Sequence, residues 1–350
     1  MRRIEVTRER FLGDGEKCFV VAEMSANHCK SFERAVQIIE SAAKAGADGI
    51  KVQTYTPDTI TLRGGGEVFT ISGESTWAGR TLYDLYAEAY MPWEWQPRLK
   101  RIAEEMGLVF FSTPFDPSAV DFLETIKVPL YKIASFELVD LPLIRYVAEK
   151  GKPVILSTGM ATLDEIAEAV DCVKKTGNDQ IILLKCVSAY PAPIQEMNLR
   201  TIPDLRERFG CLVGLSDHTL GGEVAGASVA LGAHLVEKHF TLDRKEEGPD
   251  STFSMEPAEF VDMVEKIRMV EASLGRPCYA PTKGEMVNRQ FRRSLFVVKD
   301  MRMGERFTLT NIRSIRPAMG LPPKQLSDVV GRKAACDLAA GTPLKLEHIA

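Results

Sequence analysis

Eight short apolar runs alternating with helical patterns constrain this chain more than any other feature. The runs are Phe19 to Met24, Gly49 to Tyr55, Leu108 to Pro114, Leu130 to Ser135, Val154 to Thr158, Ile181 to Ser188, Leu212 to His218, and a last one ending at His239. Between them apolar residues recur at helical spacing, as over 32–45, 117–126 and 163–175, and a final helix is expected over 257–274. Eight strands each followed by a helix is the arithmetic of a (β/α)8 TIM barrel, an α/β fold, and not of an open doubly wound sheet. This pattern accounts for residues 1–274.

A barrel of this kind concentrates chemistry at the carboxyl ends of its strands. Here those ends are polar throughout: Glu23, Lys51, Gln53, Ser112, Thr113, Lys132, Ser135, Ser157, Thr158, Ser188, Tyr190, Ser216, His218, Glu237 and His239. Two lysines among hydroxyls suit a phosphate or carboxylate, the lysines supplying charge and the hydroxyls directed hydrogen bonds. His218 and His239 end neighbouring strands, and two neutral imidazoles there can share a divalent metal whose other positions stay open to substrate oxygens. Any one serine alone is an ordinary strand-end cap, a single histidine a loop contact, and Glu237 or Lys238 a solvent-facing charge. The coincidence across eight strands carries the reading.

A net charge of -4 and a pI near 5.9 give no reason to expect nucleic acid or a membrane surface as partner. Seven scattered cysteines read as reduced thiols, which places the protein in a cytoplasm. The N-terminus lacks the apolar core of a signal peptide, and no apolar run approaches the roughly 18 to 20 residues that span a bilayer. The long connection over 56–92, with its glycine run at 64–66 and Trp77, Tyr83, Tyr86 and Tyr90, reads as a lid or specificity loop over the barrel mouth. Residues 275–292 read as a linker, and 293–350 as a small unit of short strands whose core is thin.

The motifs AEMSANH (22–28), KAGADGIKVQTY (44–55), YKIASFE (131–137), STGMAT (157–162), GLSDHTLG (214–221), EKHFTLD (237–243) and GPDSTFS (248–254) together resemble the sialic acid synthase family. The C-terminal unit, with RRSLF (292–296) and SIRPAMGL (314–321), is similar to that family's appended antifreeze-like (SAF) domain. Within the family, SANH, QTYTPDTITL (53–62) and the insertion with Trp77, LYDLY (82–86) and PWEW (92–95) resemble the pseudaminic acid synthase branch.

The resemblance implies a phosphoenolpyruvate-dependent transferase. It would condense phosphoenolpyruvate with 2,4-diacetamido-2,4,6-trideoxy-L-altrose and water to give pseudaminic acid and phosphate. N-acetylneuraminate or legionaminate synthesis is the alternative, and a Schiff-base aldolase using Lys132 or Lys51 a more distant one. It further implies that Lys51, Thr113, Lys132, Ser135, Ser157, Ser188 and Ser216 hold phosphoenolpyruvate, with Ser188 standing where family members commonly have asparagine. Gln53, Tyr190, Asp250 and Arg316 would contact the sugar, and Glu23 would orient or deprotonate water. His218 and His239 would hold manganese, or magnesium or cobalt. Arg316 resembles an arginine that reaches from one subunit into the barrel of the other, so a domain-swapped homodimer is expected.

Overall fold

The computed structural model describes residues 2–64, 66–72, 77–246 and 248–350, so Gly65 of the glycine run lies outside the described residues. The chain divides into two compact units, Met1–Gly275 and Arg276–Ala350.

In the first unit eight parallel strands close into a barrel. They are β1 (Phe19–Glu23), β2 (Gly49–Thr54), β3 (Val109–Pro114), β4 (Tyr131–Ile133), β5 (Val154–Ser157), β6 (Ile181–Cys186), β7 (Leu212–Asp217) and β8 (Leu235–His239), with β8 pairing back onto β1. The crossovers contain α1 (Phe32–Lys44), α2 (Gln96–Glu105), α3 (Pro117–Thr125), α4 (Leu141–Ala148), α5 (Leu163–Lys175), α6 (Thr201–Phe209) and α7 (Glu223–Ala230), and α8 (Pro257–Leu274) follows β8. The expected (β/α)8 barrel is therefore the fold.

Local chemistry sets the helix starts. Ser31 and Asp116 accept backbone N–H bonds at the first turns of α1 and α3, and Thr162 with Glu165 forms a capping box on α5. Helix α1 buries Ala35, Ile38, Ile39 and Ala42, one stripe at helical spacing, against the outer faces of the strands.

Strand periodicity then divides each strand between two environments. Alternate residues such as Val20, Ala22, Val213 and Leu215 pack under the helices. Phe19, Val21, Val109, Phe111, Leu130, Ile155, Ile182, Leu184, Leu212 and Leu235 fill the barrel interior. Continuing the same parity toward the carboxyl ends reaches Glu23, Lys51, Lys132, Ser157, Cys186, Ser216, Glu237 and His239. The interior is apolar below and ionic above.

An N-terminal hairpin, Arg3–Thr7 with Arg10–Gly13, adds Ile4, Val6 and Leu12 to the apolar interior cluster. No strand is expected here from sequence pattern. Each such side chain contributes about 2 kcal/mol on burial, so the hairpin plugs the end of the barrel opposite the polar rim.

In the second unit, β9 (Ser294–Val297) pairs antiparallel with β10 (Ile312–Ile315), and Leu295, Val297, Met301, Phe307, Ile312 and Leu344 are among its core residues. Lys283–Asn288, within the stretch read as linker, is a short helix opened by a Thr282–Glu285 capping box. Among the described residues no helix is long and apolar enough to cross a membrane.

Candidate active site

Register brings the polar strand ends together. His239 is opposite Glu23 in the β8–β1 pair, Glu23 opposite Lys51 in β1–β2, Glu237 opposite Ser216 in β7–β8, and Cys186 opposite Ser216 in β6–β7. All of these line a cavity of about 540 Å³, together with Gln53, Lys132, Ser135, Ser157, Tyr190, His218 and Asp250.

The floor is an ionic cluster. Lys132 Nζ donates to both oxygens of Glu237 at 2.7 and 2.9 Å, and Lys51 Nζ lies 3.4 Å from Glu237 and 3.1 Å from Glu23 Oε2. All four groups are buried. Burial alone would raise Glu237, but the two ammonium groups outweigh it and hold the carboxyl at about 2. Burial wins at Glu23, whose pKa is raised despite Lys51. Glu23 is thus the better proton acceptor of the two carboxylates. Burial lowers the Lys132 pKa, yet its nitrogen is engaged by both Glu237 oxygens, and despite burial the Lys51 pKa is raised by its two carboxylate neighbours, so neither stands as a free amine nucleophile.

The hydroxyls fall into two groups. Ser157, whose buried Oγ lacks a partner among the described residues, and Ser135, which accepts from Gly159 N–H at 3.1 Å, line the cavity with Ser216. Thr113 does not line it; its hydroxyl accepts from Lys51 Nζ at 3.1 Å and so orients that lysine. Ser188 is also absent from the lining and lies behind Gly159, where an added Cβ would come within 2.3 Å of the Ser188 hydroxyl. Arg316 is exposed on the C-terminal unit.

Beside the floor, the His218 and His239 rings lie 5.3 Å apart, with the Tyr190 ring 4.4 Å from His218. His218 Nδ1 lies 2.8 Å from the Val187 carbonyl, so that nitrogen carries a proton; burial would lower the His218 pKa, but Cys186 and that carbonyl outweigh it and raise it. His239 is kept neutral by burial, with its pKa well below the usual value, and its buried Nδ1 has no partner among the described residues. With Nε2 of His218 deprotonated, the two imidazoles offer the nitrogen donors a borderline divalent metal requires. No third His, Cys, Asp or Glu clusters with them among the described residues, which would leave the remaining positions to oxygen ligands.

The 56–92 segment forms the opposite wall. Trp77 donates its indole N–H to the Pro249 carbonyl at 2.9 Å and packs 5.7 Å from the Tyr190 ring; Ile60, Ile71, Leu85 and Tyr86 complete an apolar face. Of the four aromatics singled out in the sequence, only Trp77 and Tyr86 line the cavity. Tyr83 instead accepts from Arg63 and donates to Asp58, and Tyr90 lies under Lys30, so both anchor the segment.

Three further groups were not singled out in the sequence as site residues. Ser25 bonds Gln53 and Asp250. Glu137 lines the cavity with Oε2 lacking a partner among the described residues, and burial pushes its carboxyl up to about 7. Burial would raise the Cys186 thiol too, but His218, 3.8 Å away, brings it down to about 7. Their signal was parity and position, a polar residue at an inward place or just past a strand end. Lys238, allowed as a solvent-facing charge, is buried on the other side of β8. It donates to Asp217 at 2.7 Å and to the Thr219 and Gly221 carbonyls, which secures the loop after β7 that carries His218.

Comparison with known proteins accords with this geometry. The NeuB family model matches residues 38–279 and the SAF domain model residues 292–350. A pseudaminic acid synthase of Campylobacter jejuni is 44% identical over 94% of this chain and 96% of its own, and one of Helicobacter pylori 43% identical over 94% and 97%. A crystal structure of an N-acetylneuraminic acid synthetase from Leptospira borgpetersenii matches with a TM-score of 0.73 and 31% identity, covering 82% of this chain and 95% of that one. The chain belongs to the NeuB family and carries a SAF domain at its C-terminal end.

Proposed function

We propose that the protein condenses phosphoenolpyruvate with 2,4-diacetamido-2,4,6-trideoxy-L-altrose and water, giving pseudaminic acid and phosphate. The observation that carries this reading is the polarity of one cavity: buried lysines and hydroxyls on its floor, two imidazoles at its side, and an apolar wall from the 56–92 segment. The floor suits a small multiply charged phosphate ester. The wall suits a sugar that has lost hydroxyls and carries methyl groups.

Lys51, Lys132, Ser135, Ser157 and Ser216 bind phosphoenolpyruvate, with Thr113 aiming Lys51. Binding there sets the enol carbon toward the sugar aldehyde, and the apolar wall limits access of bulk water. The enol carbon bonds to the aldehyde carbon as the carbonyl π pair moves to its oxygen, which takes up a proton balanced by the one the added water loses, and the neighbour of the enol carbon becomes electron-poor. Glu23, its basicity raised by burial, takes the proton of the water that adds at that neighbour. The carbon–oxygen bond to phosphate then breaks, leaving the keto acid. Gln53, Tyr190, Asp250 and Glu137 orient the sugar. His218 and His239 would hold a divalent metal, manganese first, which supplies Lewis-acid polarisation of an oxygen.

The proposal extends to a homodimer in which Arg316 serves the partner's sugar site. Charge supports it: the C-terminal unit has 14 Lys and Arg against 6 Asp and Glu, and the barrel unit 30 against 42. Opposite potentials favour association of the two kinds of surface.

Phosphoenolpyruvate labelled with oxygen-18 at the bridging position tests the chemistry. Sugar-dependent release of labelled phosphate is expected. Release of unlabelled phosphate, or release without sugar, would overturn the reading.

A further inference from the structure

Ser25 sits two residues beyond the end of β1 with a φ of 45°, in the left-handed region where glycine fits freely and a residue with a Cβ is strained. It is also buried. Its hydroxyl is fully engaged, donating to Asp250 Oδ2 and accepting from Gln53 Nε2 at 3.0 Å. Asp250 Oδ2 also accepts from Ala26 N–H at 3.3 Å, which fixes that oxygen as an acceptor and Ser25 as the donor to it.

The consequence falls on Gln53. A serine hydroxyl has one proton, and Asp250 takes it, so Ser25 can show Gln53 only a lone pair. The other neighbour of the amide, Glu23 Oε1 at 2.9 Å, is likewise an acceptor. Both N–H bonds of the Gln53 amide therefore point at Ser25 and Glu23; the flipped amide would set oxygen against oxygen. Its Oε1 has no partner among the described residues, and Gln53 lines the cavity.

We infer that Ser25 is a positioning residue that fixes the polarity of the sugar subsite: acting through Gln53, it makes that subsite an acceptor, selective for a hydroxyl or acetamido N–H of the acyclic sugar. The inference rests on the cavity being an amino-sugar site. Without the Ser25 hydroxyl the amide loses one of the two contacts that orient it. The strained backbone is the cost of keeping a side chain where glycine would fit.

The test uses full-length wild type, Ser25→Gly and Ser25→Ala, with whichever acyclic amino sugar of a panel the wild type turns over fastest. A preference for N-acetylmannosamine would remove the proposed sugar but leave this test intact. Both variants are expected to raise the sugar KM about tenfold while the phosphoenolpyruvate KM stays within about twofold. Only glycine relieves the left-handed strain, so Ser25→Gly should melt above Ser25→Ala with the same sugar KM. If Ser25 merely shaped the loop, KM would follow stability, and Ser25→Gly would keep the wild-type sugar KM; that result overturns the inference. A second reading comes from sugar analogues lacking one hydroxyl or acetamido group at a time. One deletion should be costly in wild type and cost nothing further in Ser25→Gly. Additive losses at every position would also overturn it.

Discussion

Lys132 donates to both carboxylate oxygens of Glu237 at the floor of the cavity, and the same carboxylate lies 3.4 Å from Lys51. One buried negative charge thus tethers two buried positive ones where an anionic substrate must bind. Removing the carboxylate leaves the Lys132 ammonium uncompensated and Lys51 with Glu23 alone. Glu237→Ala is expected to lower unfolding free energy by about 3 to 5 kcal/mol, with urea denaturation as the measurement. Excess phosphoenolpyruvate should restore part of this, because its anion replaces the missing charge. A variant as stable as wild type without ligand would contradict the role given to Glu237.

The paired histidines predict metal dependence. His218→Ala and His239→Ala should each lose roughly a hundredfold or more in turnover, the several kcal/mol that a Lewis acid contributes, while circular dichroism and melting stay close to wild type. Manganese binding by calorimetry should fall with activity. Near-normal, chelator-sensitive turnover in either folded variant would contradict the assignment.

Trp77 joins the 56–92 segment to the Pro249 carbonyl and the Tyr190 ring. Trp77→Ala should raise the sugar KM or lower turnover by about tenfold, equivalent to about 1.4 kcal/mol. Binding of phosphoenolpyruvate, measured alone, should not change. Equal losses for both substrates would mean that the indole supports the barrel rim as a whole.

Glu137 gives a stability signature. Burial lifts it from an ordinary 4.5 to about 7, so between these values the folded chain holds a proton that the unfolded chain has released. Its contribution is fully present below pH 4.5 and is lost as pH rises through 7. The difference in unfolding free energy between wild type and Glu137→Gln should fall with pH across that window and level off above it. A difference that does not change across the window would contradict the shift.

The barrel was legible because eight apolar runs alternate with helical patterns, and its site because those runs end in polar residues that a buried strand would not otherwise carry. His218 and His239 also stand 21 positions apart, one strand–helix unit, so neighbouring strands present them at one edge. The plug was not legible, since Ile4 and Val6 alternate with charged and polar residues and the strands of the hairpin are only five and four residues long. Nor does sequence distinguish Tyr86, on the cavity, from Tyr83 three residues earlier, which bonds Arg63 and Asp58; that depends on how the short helix Leu82–Ala89 is rotated. Ser25 was hidden for a different reason. A left-handed serine is improbable from local preference and is held by Asp250, which is 225 positions away.

Product analysis decides which sugar the cavity takes. The purified protein, with manganese and phosphoenolpyruvate, would be offered the diacetamido-trideoxy altrose, the corresponding legionaminate precursor and N-acetylmannosamine, with phosphate release timed and products identified by nuclear magnetic resonance. Pseudaminic acid is the expected product, with kcat/KM for the altrose sugar at least about a hundredfold above the others, as expected when a rejected sugar leaves buried polar groups unpaired. Preferential turnover of N-acetylmannosamine, or no phosphate from any of the three, would contradict it.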